Sequence, residues 1–303
     1  MPSIRFRRRG GSRPEGAPSR AGRRALLAAI LLGALGAGPA GAQQVPPQGQ
    51  PAQAAPPPPP RPAAVLPDRP QLEPKAVEIL KAMSDRLAAA KTMTFTATVT
   101  YEAPARTGQP LAYTTLSEVT VRRPDGLKVV TPGDGSPSEF YYDGRTMTAY
   151  APGPGLAAVA DAPPTIDAML KAAYDQAAIY FPFTDFIVSD PYKDMSEGLK
   201  LAFVVGQSQV VGGTLTDIVV VANDTLQAQI WIGAEDHLPR MMRATYFDEP
   251  GNFRHQVEFS RWALDEAVPA GTFTAEAAAN AKRIRFGRPD MPPELAENGG
   301  KKP

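Results

Sequence analysis

The clearest pattern along the chain is an alternation of polar and apolar residues from 94 to 101, TFTATVTY. Threonines occupy every second position, and Phe95, Ala97, Val99 and Tyr101 occupy the positions between them. A period of two is typical of an antiparallel strand with one buried face. We therefore expect Phe95 and Val99 to lie on the inner face of a sheet.

Nine further segments show strand-like composition between turn signals such as Asp143-Gly144 and Glu249-Pro250-Gly251-Asn252. The predicted strands are 112–121, 127–131, 139–142, 146–150, 199–207, 215–222, 227–232, 240–247 and 253–262.

Two regions have helical periodicity instead. From Pro74 onward apolar residues recur every three or four positions, at Ala76, Leu80, Met83 and Leu87. A second region interrupts the strands: Pro163-Pro164 leads into helical character from 165 to 179, and a shorter helical piece covers 184–188. This insert carries more aromatic and apolar surface than a helix needs merely to cover a sheet.

The order of these elements predicts an α+β fold. A helix, a run of strands, a helical insert and a second run of strands favour a curved antiparallel sheet of about ten or eleven strands. We expect one N-terminal helix and two shorter insert helices to cover the concave face of this sheet.

Residues 1–42 have the three parts of a cleavable secretory signal. Eight arginines and one glutamate are followed by the apolar run 25–37 and by Ala40-Gly41-Ala42, after which we expect cleavage. The run of 13 residues is too short for a bilayer core of about 30 Å, which disfavours the alternative of a membrane anchor. Arg23-Arg24 indicates the twin-arginine route only weakly.

Composition divides the rest of the chain into three parts. Residues 43–71 form a tract rich in Pro, Gln and Ala, which predicts a disordered linker. Residues 72–286 form the predicted domain, and residues 287–303 are again rich in Pro, Gly and charge, as expected for a disordered tail.

Charge and cysteine content exclude several classes of protein. The chain has a formal net charge of +1, and residues 1–42 contribute eight positive charges and one negative, so the remainder is mildly acidic, at −6. An acidic chain argues against nucleic-acid binding. The absence of cysteine excludes a thiolate nucleophile, a cysteine zinc site and a lipid on an N-terminal cysteine. We expect a soluble periplasmic protein without a membrane anchor after cleavage.

Several short segments carry a resemblance to known proteins. They are PKAVEILKAM at 74–83, VTVRRPD at 119–125, FYYDGR at 140–145, APPTID at 162–167, SDPY at 189–192, QIWI at 229–232 and LPR at 238–240. With the order of elements, they resemble the LolA-like superfamily of periplasmic lipoprotein carriers. The resemblance is closer to a family of predicted periplasmic proteins of unknown function within it. It covers about 72–286. It implies an incomplete barrel, that is, an unclosed half-barrel sheet with helices over its concave face, and a hydrophobic cavity for acyl chains.

The polar residues do not indicate catalysis. His237 and His255 lie in a predicted turn and a predicted strand, outside any metal-binding or catalytic motif. The spacing of Asp185 and Asp190 suits helix surface and capping better than paired acid–base chemistry. We therefore expect no enzyme, no metal and no cofactor. Basic residues at strand ends are candidates for a lipid headgroup, although ordinary salt bridges are the more frequent role: Arg122, Arg123, Lys128 and Arg240.

These observations lead to a functional hypothesis, a periplasmic non-catalytic protein that carries or senses a lipid or acyl chain between sheet and helices. One alternative is an interaction module with a filled core that binds another envelope protein, and a weaker one is an envelope lipid or glycan hydrolase. For each candidate lining residue, a plain core role is the competing interpretation. The candidates are Phe95, Val99, Met169, Leu170, Tyr174, Phe183, Phe186, Ile187, Ile230, Met242 and His255.

Overall fold

A computed structural model describes residues 70–133, 136–247 and 251–288. The predicted signal at 1–42, nearly all of the linker at 43–71 and most of the tail at 287–303 lie outside these residues. The division of the chain at those boundaries remains a prediction.

The described residues build one sheet of thirteen strands. The strands are β1 Gln71–Leu72, β2 Thr92–Pro104, β3 Pro110–Arg122, β4 Gly126–Thr131, β5 Ser138–Tyr142, β6 Thr146–Ala151, β7 Leu156–Asp161, β8 Leu201–Ser208, β9 Thr216–Ala222, β10 Leu226–Gly233, β11 Pro239–Tyr246, β12 Arg254–Leu264 and β13 Lys282–Ile284.

The sheet consists of two antiparallel meanders, β2 to β7 and β8 to β12. They join where β12 pairs with β2, with Val257 opposite Val99. The two edges are formed by β1, parallel to β8, and by β13, parallel to β7. Because these edge strands do not pair with each other, the sheet is unclosed. The predicted half-barrel is confirmed.

Four helices cover the inner, concave face: α1 Pro74–Ala89, α2 Ile166–Ala177, α3 Thr184–Ile187 and α4 Pro191–Ser196. The Thr165 side chain caps α2 by accepting a hydrogen bond from the backbone of Ala168, and Asp190 caps α4 through Lys193 N at 2.9 Å. In the part of the chain that the structure describes, no helix has the length and apolarity to span a bilayer.

The structure contains elements that the sequence pattern did not indicate. Strand β7 has the sequence LAAVAD, in which no polar–apolar alternation is visible. Strands β1 and β13 have only two and three residues, and no period is readable over such lengths. Helix α4 adds a third helix to the insert, and the sheet has thirteen strands rather than ten or eleven.

The segment between β12 and β13 packs on the outer face of the sheet. Its anchor is Phe273, a buried ring that lies directly over Gly126 of β4. A Cβ atom at Gly126 would lie 2.9 Å from Phe273 Cε2, closer than side chains approach one another. The Arg122 guanidinium covers the same ring, 4.7 Å from its centroid. The missing side chain of Gly126 therefore makes room for Phe273.

Candidate functional site

The predicted lining residues lie on the inner face of the sheet and on the insert. Five lie on strands of the inner face and six on α2, on α3 or at the start of α3. Nine of the eleven belong to one buried hydrophobic cluster, while Tyr174 is half-exposed and His255 is a buried polar residue. The cluster members are Phe95, Val99, Met169, Leu170, Phe183, Phe186, Ile187, Ile230 and Met242.

Aromatic rings hold the insert against the sheet. Phe183 meets Phe95 edge-on with ring centroids 5.6 Å apart, and Phe186 meets Phe259 at 4.8 Å. Phe181 contacts Phe140 in the same way at 5.2 Å. Such pairs add about 0.5–1.5 kcal/mol each to the effect of burial. The insert is therefore attached to both meanders of the sheet.

Four members of this aromatic cluster are not among the lining residues predicted from the sequence: Phe140, Phe181, Phe259 and Trp262. Phe140 and Phe259 alternate with polar neighbours in predicted strands, and Phe181 belongs to the FPF sequence that precedes α3. The sequence therefore contained a signal for these three residues. Trp262 is different. Its ring centroid lies 4.5 Å from that of Phe95 because β2 pairs with β12, and these strands are too far apart in the chain for a local sequence pattern to reveal the contact.

A polar junction fixes one end of the insert. The Arg123 backbone N–H donates to Lys91 O at 2.8 Å, and its guanidinium donates to Leu87 O in α1 at 3.4 Å. Asp167 of α2 accepts from both the backbone and the hydroxyl of Ser189. Burial lowers the pKa of Arg123, and the charge of Asp167 partly opposes that change. Arg123 therefore connects the end of α1 electrostatically with the start of α2.

The other basic residues at strand ends make ordinary contacts with nearby side chains. Arg122 bonds Asp125 at 2.9 Å and Arg240 bonds Asp236 at 2.6 Å, both close along the chain. Lys128 lies over the Tyr141 ring, 5.5 Å from its centroid. Of these four, only Arg123 reaches the junction between helices and sheet.

The other end of the inner face is open. A row of aromatic side chains crosses four adjacent strands there, from Tyr113 through Tyr101 and His255 to Tyr246. Tyr113 and Tyr101 stack with centroids 5.6 Å apart, and His255 lies 6.0 Å from Tyr101 and 5.2 Å from Tyr246. Tyr113 and its inner-face neighbour Leu111 are each 46% exposed, whereas His255 and Tyr246 are buried. The row leads from solvent into the apolar interior.

His255 is the side chain of this row that belongs to the class able to change charge near neutral pH. Burial lowers its pKa, and the charge of Glu102, which is paired with Arg254, partly opposes the change. The unfolded chain, with a histidine pKa of about 6.5, then binds a proton more readily than the folded chain. The contribution of neutral His255 to stability is therefore present above about pH 6.5 and is lost progressively as the pH falls below that value.

We expect this linkage to appear in denaturation curves measured from pH 7.5 downward. The free energy of unfolding of the natural protein should fall by up to about 1.4 kcal/mol per pH unit just below pH 6.5. The His255→Gln variant should lose this slope, whereas His237→Gln, in the turn before β11, should keep it. Equal slopes in both variants would contradict the assignment to His255.

The described carboxylates do not cluster as metal ligands. Among residues 70–133, 136–247 and 251–288, no three His, Asp or Glu side chains approach closely enough to hold a metal ion. Asp190 caps α4, as its spacing suggested, but Asp185 is buried in α3 rather than placed on the helix surface. All four residues of α3 are buried, so this short helix has no exposed side for Asp185.

Comparison with protein families gives one match, over residues 76–287. The matching family is described as predicted periplasmic protein (DUF2092). This range contains every strand except the edge strand β1 and almost all of the four helices. No curated protein sequence matches the chain significantly.

Several solved structures are similar to the chain. The lipoprotein LppX of Mycobacterium tuberculosis is 13% identical, with a TM-score of 0.41, and the alignment covers 65% of this chain and 98% of LppX. LprF from Mycobacterium bovis is 16% identical, with a TM-score of 0.40 and coverages of 65% and 97%. A LolA superfamily protein from Nitrosomonas europaea is 8% identical, with a TM-score of 0.35 and coverages of 67% and 98%.

Proposed function

Because this chain belongs to the DUF2092 family of predicted periplasmic proteins, we propose that it is a periplasmic, non-catalytic protein that binds a lipid or acyl chain. The ligand lies between the inner face of the sheet and the insert of α2 and α3. The protein either carries this ligand or senses it.

One observation carries the proposal: the aromatic row from Tyr113 to Tyr246 joins an exposed apolar end to a buried apolar interior. A filled core alone does not require Leu111 and Tyr113 to remain exposed on the inner face. An acyl chain that enters along this row takes the place of contacts between the insert and the sheet. Its burial supplies about 0.8 kcal/mol per CH₂.

The buried methionines make such a replacement easier. Met169 of α2, Met242 of β11 and Met83 of α1 all lie in the same cluster. Methionine has an unbranched, flexible side chain that adapts to irregular shapes. An interior that contains methionines repacks around a ligand at a lower cost in free energy than an interior built only from branched side chains.

We expect the protein, purified from the periplasm without detergent, to bind saturated fatty acids with an affinity that depends on chain length. The dissociation constant should fall about fourfold for each added methylene, which corresponds to about 0.8 kcal/mol. Displacement of a fluorescent fatty acid measures this series. Native mass spectrometry with organic extraction identifies any ligand that is already bound.

A matched pair of variants tests where the acyl chain of the ligand enters the protein. Leu111→Glu places a carboxylate at the open end and should weaken fatty-acid binding by about tenfold, equal to about 1.4 kcal/mol. Val205→Glu, at a similarly exposed position on β8, should leave binding unchanged. No uptake by the natural protein, or equal effects of the two substitutions, would contradict the proposal.

A specific feature favours a second candidate function, that of an envelope protein-interaction module. Strand β1 pairs with β8 only at Leu201 and Ala202, and Glu73 accepts a hydrogen bond from Val204 N. From Val205 onward, no strand of the described chain covers the outer edge of β8, and Val205 is 53% exposed. If no fatty acid binds, this edge becomes the candidate site for a partner strand.

A further inference from the structure

A short basic segment forms the edge of the sheet beside β7. It is the C-terminal arm, Lys282 to Arg288, with the sequence KRIRFGR. Four of its seven residues are basic, and the chain has no acidic residue from 277 to 289. This concentration contrasts with the acidic balance of −6 over residues 43–303. The arm is therefore a local positive site on an acidic protein.

Most basic side chains of the arm are exposed and form no ion pair with the acidic residues that the structure describes. Lys282, Arg283 and Arg285 are exposed, and within the described ranges none of them forms an ion pair. Between them lies Ile284, an apolar side chain that is 48% exposed. Exposed basic residues with an apolar residue among them match the chemistry of an anionic lipid surface.

The geometry of the edge favours a planar partner. Successive residues of a strand point to opposite faces, so Lys282 and Ile284 share one face while Arg283 lies on the other. A flat surface that approaches the sheet edge-on reaches both faces at once. An additional peptide strand is a less suitable partner, because β13 has only three residues with which it could pair.

The arm also lies beside the insert. Its last residue, Arg288, sits over the Tyr174 ring of α2, 5.9 Å from the centroid. Phe286 packs against the hydrophobic cluster, and Ile284 pairs with Ala158 of β7. A surface bound to the arm is therefore close to the side of the insert.

We propose that the C-terminal arm docks the protein on an anionic lipid bilayer. The electrostatic attraction of Lys282, Arg283 and Arg285 supplies most of the affinity, and Ile284 enters the headgroup region. This surface contact does not require an acyl chain to bind in the interior.

The test is co-sedimentation of the exported protein with vesicles. Protein purified from the periplasm is used, with its N-terminus verified by mass spectrometry, because the eight arginines within residues 1–42 would mask the contribution of the arm. We expect binding to vesicles of phosphatidylglycerol and phosphatidylethanolamine, and much weaker binding to phosphatidylcholine alone. Binding should weaken strongly as salt rises from about 0.05 to 0.5 M, because salt screens surface charges.

Paired substitutions assign the contact to the arm. Each basic residue near an anionic surface contributes about a fivefold factor in affinity. Arg283→Gln with Arg285→Gln should therefore weaken binding about 30-fold, while Arg106→Gln with Arg243→Gln, the same charge change at exposed positions elsewhere, should weaken it less than threefold. Thermal melting checks that both double variants are folded.

Three outcomes would overturn the proposal: no binding to anionic vesicles, equal binding to phosphatidylcholine, or equal effects of the two double variants. Binding to poly-glutamate without binding to vesicles would identify an acidic polypeptide as the partner instead. Fatty-acid displacement is measured on the same samples. A protein that binds fatty acids but not vesicles would contradict only the docking of the arm. A protein that binds vesicles but not fatty acids would contradict only the proposed function.

Discussion

Phe183→Ala should lower the free energy of unfolding by about 3–5 kcal/mol, because it removes a fully buried ring from the point where the insert meets the sheet. Phe183 contacts Phe95 edge-on and stacks on Phe181 at 5.7 Å. Alanine leaves a cavity that rings on two other elements cannot fill without moving. Urea denaturation followed by tryptophan fluorescence measures the change, with Trp262 in the same cluster as a reporter.

Phe203→Ala is the matched control for this prediction. Phe203 lies on β8 and is 37% exposed, so the same substitution should cost less than about 1.5 kcal/mol. Equal losses in the two variants would show that Phe183 does not anchor the insert. A fatty acid added in excess should recover part of the loss in Phe183→Ala, because ligand binding stabilises the folded state by mass action.

The second large effect concerns the outer face, where Phe273 packs on Gly126. Phe273→Ala should cost about 3–5 kcal/mol as a large-to-small core substitution. Gly126→Val should cost about 1–3 kcal/mol, because its side chain must displace the Phe273 ring. Both values come from denaturation curves.

A double-mutant cycle tests whether both substitutions act through the same contact. Once Phe273 is alanine, the contacts of the added side chain with the ring are gone and only the contact with Arg122 Cβ at 3.1 Å remains. Gly126→Val should therefore cost clearly less stability in the Phe273→Ala background than in the natural protein. Additive losses would contradict this interpretation. Gly153→Val is the control, because a Cβ atom at Gly153 meets no neighbouring atom within 4 Å.

Periodicity explains why much of this fold was predictable from the sequence. The alternation in β2 and the helical spacing in α1 each identify a buried face over more than seven residues. The insert was recognisable because Phe183, Phe186 and Met169 exceed the apolar surface that a covering helix needs. Nine of the predicted lining residues accordingly lie in one cluster, although binding by them remains a proposal.

The features that were not predicted depend on contacts between distant parts of the chain. Asp185 is buried because α3 is enclosed on all sides, and a helix of four residues is too short for a period to define its faces. Arg123 reaches Leu87 across the sheet–helix junction, which no local spacing reveals. Strands β1 and β13 take their positions from β8 and β7 rather than from their own sequences.

The junction of β2 and β12 has a consequence for the timing of export. It joins residues far apart in sequence: the Arg261 side chain donates to the Thr96 hydroxyl across 165 positions. A chain that crosses the membrane unfolded, N-terminus first, presents β2 outside with an unpaired edge until β12 follows. During that interval the edge is open to other unfolded chains. The speed of translocation, rather than the strength of the strands, then sets how long the protein is exposed to aggregation, and a route that exports it already folded removes this interval.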